Sequence, residues 1–195
     1  MTDSSEQEPP GEQGPGPDPD PGLVLATGTV VYGAMGAAAL LWLWARDRSD
    51  ALYEQAIGEH GPLVSSGVGL GVGLIGAWIL SLAIKRFESL KDVASAAHRL
   101  FARASDGVAI AFVLISAIAE ELFFRLAVQD LFGLFGAVAV YVLVNSSVGG
   151  WRWLIFTFVH ATVLSLIVHL GFGLLGSTTA HAVLNYLSLR RIQDS

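Results

Sequence analysis

Cysteine is missing from the 195 residues, which excludes disulfides, thiolate metal sites and a cysteine nucleophile together. Charge is scarce as well: Asp, Glu, Lys and Arg make up 14% of the chain against 53% hydrophobic residues, with a mean hydropathy of +0.58. That balance excludes an ordinary soluble domain. No His-Glu-x-x-His, no Gly-x-Ser-x-Gly and no basic leader before an apolar run is present. Zincin, serine-hydrolase and signal-peptide readings therefore have nothing to stand on.

The net charge of −6 is local. Asp3, Glu6, Glu8, Glu12, Asp18 and Asp20 stand in residues 1–22 without a Lys or Arg among them. Removing these six from the 17 acidic residues leaves 11, equal to the 11 basic ones. The remainder is formally neutral, and no nucleic-acid partner is expected. Six of the seven prolines share residues 1–22, a composition that buries too little apolar area to offset chain entropy and reads as a disordered tail.

Beyond the tail the chain reads as an all-α polytopic membrane protein, a bundle of about six transmembrane helices with a cytoplasmic amphipathic helix. Spanning the hydrocarbon core takes about 20 apolar residues. Two N-terminal spans are expected within 23–86, from Leu23 to Ala45 and from Leu63 to Ile84. The second is rich in glycine (Gly67, Gly69, Gly71, Gly73, Gly76), which suits close helix contact. Over 87–105, Phe87, Leu90, Val93, Ala97, Leu100 and Phe101 recur at steps of three and four among charged residues, the pattern of an interfacial helix. Residues 106–190 hold four further apolar segments: one starting after Asp106, Leu131–Asn145, Trp151–Leu170 and Phe172–Leu189.

Lys85, Arg86, Lys91, Arg99, Arg103, Arg152, Arg190 and Arg191 fall on one side of this arrangement, and only Arg46 and Arg48 on the other. The excess places both termini in the cytoplasm.

Ionisable groups inside a bilayer cost roughly 2.5–3.5 kcal/mol each on insertion scales. Glu120, Glu121 and Arg125 nevertheless lie together in one span. Glu121 and Arg125, at i and i+4 with the acid first, are in the favourable order for an ion pair, which leaves Glu120 as an unpartnered carboxylate suited to general-base work. His160 falls near the middle of the fifth span, and His181 and Asn185 share one face of the sixth. His169, nine residues past His160, faces away. Ser146, Ser147, Ser165, Ser177 and Ser188 lack a nucleophile's context.

The three elements Glu120-Glu121-x-x-x-Arg125, Phe156-x-x-x-His160 and His181-x-x-x-Asn185, in this order on late spans, resemble the motifs of the CAAX-protease and bacteriocin-processing family of glutamic intramembrane proteases. The resemblance covers about residues 106–190. It implies that Glu120 and His160 activate water, that His181 and Asn185 stabilise the oxyanion, that Glu121 and Arg125 orient the site, and that Phe156 packs beside His160. No cofactor is implied. The expected substrate is a membrane-associated protein or peptide tail, such as a C-terminal sorting signal, and the expected location is a bacterial cytoplasmic membrane. Two alternatives stand beside this reading. Glu120, His160 and His181 could instead bind zinc as a metalloprotease site, or the same fold could serve as a non-proteolytic scaffold or immunity protein.

Overall fold

The structure is a computed structural model that describes residues 20–49, 52–101 and 104–193, and these residues are about 92% helical with no strand among them. The acidic tail over 1–19 and Arg103 of the amphipathic stretch lie outside the described residues. The end of the expected tail is already structured. Asp20 caps helix α1 (Pro21–Ala45), its carboxylate accepting from the backbone N–H of Gly22 at 2.6 Å and of Leu23 at 3.4 Å. Pro21 at the first helical position has no N–H to leave unpaired.

A short helix α2 (Leu52–Ile57) precedes α3 (Gly61–Arg86), and the amphipathic stretch forms α4 (Glu88–Phe101), with Leu90 and Phe101 buried. Helix α5 (Asp106–Glu121) is capped by Ser105 and continues through a wider π-helical turn (Leu122–Val128) into α6 (Gln129–Val144). A 3-10 turn (Asn145–Ser147) leads to α7 (Trp151–Ile167), and a second π-helical turn (Val168–Phe172) leads to α8 (Gly173–Gln193).

Four helical stretches are long and apolar enough to cross a membrane: Gly22–Ala45, Gly61–Arg86, Asp106–Ser147 and Trp151–Arg191. The last two hold 42 and 41 residues, and as straight rods they would run about 60 Å, twice a hydrocarbon core. Glycine breaks both. Gly133 takes φ 69° and ψ 179°, and across it Phe124 and Val128 pack against Ala137, Val138 and Tyr141. Gly171 (φ 82°) and Gly173 (φ 63°) bend the second stretch, so that Gly176 meets Ile167 and the His160 and His181 rings approach to 4.9 Å. These left-handed conformations strain any residue with a Cβ. The fourth apolar segment expected from Leu131 begins two residues before the first break, at Gly133.

Helices α3 and α8 run parallel and in close contact. Ser65, Gly69, Gly73 and Ala77 recur every fourth residue and are all buried. A Cβ on Gly69 would fall onto the carbonyl oxygen of Gly176, and one on Gly73 would lie 2.8 Å from that of Ala180. Gly67 and Gly71, two residues out of phase, meet nothing within 4 Å. Gly76 meets Leu184 of α8, so three of the five glycines build the contact, as small residues do in membrane bundles.

Ion pairs and ring contacts sort the charged residues to two ends. At one end Arg190 meets Asp106 at 2.6 Å, Arg152 lies 5.1 Å over Phe87, and Lys85, Lys91, Arg99 and Arg191 surround one cavity. At the other end Arg48 closes on Asp130, with Arg46 4.0 Å from the same carboxylate, so the two basic residues that oppose the charge bias share one acid.

Replacing Gly69 by Leu is expected to lower stability by about 1–3 kcal/mol or more, because neither backbone can yield. Gly71→Leu is expected to stay within about 0.5 kcal/mol of the parent. Thermal unfolding of the two purified variants in one detergent checks the pair.

Candidate active site

The polar groups meet where α5, its π-helical turn, α6, α7 and α8 cross. The turn matters to the geometry: by winding wider than an α-helix it lets five consecutive residues, Phe124 to Val128, be buried, with α1, α6 and α8 around them. Arg125 is carried inward in this way. Its Nε lies 3.3 Å from Oε2 of Glu121, and both side chains are 0% exposed. The Arg125 guanidinium also lies 5.5 Å over the Tyr141 ring. Among the described residues its nitrogens donate no hydrogen bond, so charge and the ring face hold it.

Glu121 has a second partner. Its Oε1 is 3.0 Å from Nδ1 of His181, which is itself buried. One carboxylate thus ties α5 to α8 and fixes the plane of the His181 ring. The other ring nitrogen, Nε2, then lies 3.9 Å from Oε2 of Glu120. That is too long for a direct hydrogen bond, and short enough for both groups to touch a single substrate or water oxygen.

Glu120 differs from its neighbour. Its side chain is 16% exposed, and it accepts a hydrogen bond of 3.2 Å from the Tyr141 hydroxyl. Tyr32 of α1 is a further neighbour of the same carboxylate. Glu120 is therefore partnered, whereas its expected state was unpartnered. Neither tyrosine was singled out in the sequence, where each reads as one more aromatic residue in an apolar run. The usable signal was the 21-residue interval from Glu120 to Tyr141, which becomes a contact only once the chain reverses at Gly133.

His160 is positioned by rings. It stacks on Phe156 one turn earlier (5.8 Å, 11° between planes), meets His181 edge-on at 4.9 Å and stands 6.1 Å from Tyr141. Its link to Glu120 runs through these two neighbours. It lines a cavity of about 160 Å³ between α3, α7 and α8. Asn185 faces a separate apolar cavity of about 230 Å³, whose wall includes Ser116, Leu184 and Ser188. Phe156 borders both spaces. His169 is exposed in the turn between α7 and α8, away from the cluster.

No protein-family model, curated protein or solved structure matches the chain.

The chemistry must accordingly be read from the side chains. Glu120, largely buried, with a tyrosine donor and a histidine nitrogen 3.9 Å away can take up and release a proton, while His160 and Asn185 border two different apolar cavities, neither of them lined by Glu120. Among the described residues no three His, Asp or Glu side chains are grouped as metal ligands.

Arg125→Ala is expected to destabilise the protein by about 3–5 kcal/mol, since Glu121 would remain charged and buried without its cation. Removing both charges in Glu121→Met/Arg125→Met is expected to recover part of that loss, because it leaves His181 Nδ1 buried without its carboxylate partner. Denaturant unfolding of the single and double variants measures both effects.

Proposed function

We propose that the chain is a glutamic-type intramembrane endopeptidase, similar to the CAAX-protease and bacteriocin-processing family. It would hydrolyse a peptide bond in a membrane-associated protein or in the tail of a membrane-bound peptide. The observation that carries this reading is the unequal treatment of two adjacent glutamates. Glu121 is sealed between Arg125 and His181, while Glu120 keeps an accessible carboxylate 3.9 Å from a histidine nitrogen.

In the proposed reaction Glu120 takes a proton from water as the oxygen attacks the scissile carbonyl, and His160 helps to hold that water. The negative charge that develops on the carbonyl oxygen is met by a His181 ring N–H and by the Asn185 side-chain amide. The proton held by Glu120 then passes to the leaving amine. Glu121 and Arg125 touch neither substrate nor water and keep the His181 ring in register. Phe156 holds His160 in place and walls the cavity on which Asn185 opens.

The proposal includes six membrane passes, with both termini and α4 on the cytoplasmic side of a bacterial membrane. Chain reversal at Gly133 and at Gly171–Gly173 supports that count, and the gathering of Lys85, Arg86, Lys91, Arg99, Arg152, Arg190 and Arg191 at one end supports the orientation.

Membrane-anchored peptide tails, presented to the purified protein in liposomes and analysed by mass spectrometry, test the reading. Glu120→Gln is expected to lose about 10²–10⁴-fold in cleavage rate. Full turnover by Glu120→Gln would reject the proposed base. Cleavage lost to a chelator and restored by zinc would favour a metalloprotease, and no cleavage of any tail by the parent protein would favour a binding role.

A further inference from the structure

The end of the bundle opposite Asp130 carries a basic concavity whose side chains the proposed hydrolysis does not use. Lys91, Ser95 and Arg99 recur every fourth residue on α4 and so form one stripe along it. The stripe faces Lys85 from the end of α3 and Ser188 and Arg191 from the end of α8 across a cavity of about 490 Å³. Lys91 has a carboxylate neighbour, Glu88, at 3.6 Å. Lys85, Arg99 and Arg191 are in no ion pair among the described residues, and the nearby Asp106 is engaged by Arg190 instead. Four cations thus converge on one pocket, and among the described residues Glu88 is the one acid ion-paired to any of them.

The floor of that pocket is apolar. Ile84, Ala94 and Ser188 line both it and the neighbouring apolar cavity of about 230 Å³, so the two spaces adjoin. The second cavity continues inward past Leu80, Leu90, Phe101 and Val113. A small anion would satisfy the cations and leave the apolar space unused, and an uncharged chain would do the reverse. An amphiphile satisfies both. In a bilayer, basic pockets between helices at the interface select anionic headgroups in this way.

We propose that this composite cavity binds an anionic phospholipid. Its phosphodiester sits among Lys85, Lys91, Arg99 and Arg191, and the start of one acyl chain enters the apolar cavity beneath Ala94. The site does not depend on the peptidase reading, although the acyl chain would share a wall with Phe156 and Asn185.

Native mass spectrometry of the full chain tests it, after exposure to phosphatidylglycerol, to phosphatidylcholine or to glycerol 3-phosphate. Phosphatidylglycerol is expected to be retained, and the other two are not. The triple variant Lys85→Gln/Arg99→Gln/Arg191→Gln is expected to lose retention roughly tenfold or more. Its charge-matched control, Arg86→Gln/Arg152→Gln/Arg190→Gln, removes three cations from the same end outside the cavity and is expected to keep the lipid. Ala94→Trp, which fills the junction without changing charge, is expected to displace it and serves if the triple variant does not fold. Equal retention of phosphatidylcholine would overturn the proposal. So would equal losses in the two triple variants, equal retention of glycerol 3-phosphate, or full retention by Ala94→Trp.

Discussion

One carboxylate with two partners organises the centre of this molecule. Glu121 is fully buried, and in lipid a lone charge in that position would be prohibitive. Arg125 at 3.3 Å neutralises it from the same helical segment, and His181 at 3.0 Å meets it from the far end of the chain. The pair with Arg125 is local, a consequence of the i, i+4 spacing. The pair with His181 is not: it requires α8 to lie against α5 at one register. The parallel contact between α3 and α8, set by Gly69 and Gly73, holds α8 from its other side. Polar bonding and small-residue packing thus act on the same helix, and a shift of α8 by one residue would break both.

That arrangement frees its neighbour. Because Glu121 absorbs the cation and one histidine nitrogen, Glu120 is left with a tyrosine donor and a histidine just beyond hydrogen-bond distance. Adjacent residues in a helix point about 100° apart, so a single turn serves both a sealed scaffold and an accessible group. The π-helical turn that follows carries Arg125 inward in turn. In the proposed reaction, proton transfer and structural support fall to adjacent residues.

Much of this was legible in the sequence, for identifiable reasons. Long apolar runs and sparse charge mark the membrane helices. Because i, i+4 spacing is local, the Glu121–Arg125 pair could be read without a fold. The amphipathic stretch before Asp106 showed its period directly, and α4 occupies Glu88–Phe101 within the expected 87–105. Contacts that depend on chain reversal were not legible. Tyr141 reaches Glu120, and Asp130 reaches Arg48, only because the helices turn back or pack across distant segments. The choice among glycines was equally hidden, since the partner helix, absent from any local pattern, decides that Gly69 is buried and Gly71 open. Glu120 and His160 were expected to act on one water; ring contacts with Phe156, His181 and Tyr141 position His160.

The central claim is that the two adjacent glutamates have different work, and the unfolding free energies of Glu120→Gln and Glu121→Gln, measured side by side in the same lipid or detergent, test it most directly. The account predicts that Glu121→Gln loses about 3 kcal/mol or more by leaving Arg125 buried without its counter-charge. Glu120→Gln, with a side chain that keeps partial exposure and a hydroxyl neighbour, is expected to unfold within about 1 kcal/mol of the parent. Equal losses in the two variants, or a larger loss for Glu120→Gln, would contradict it.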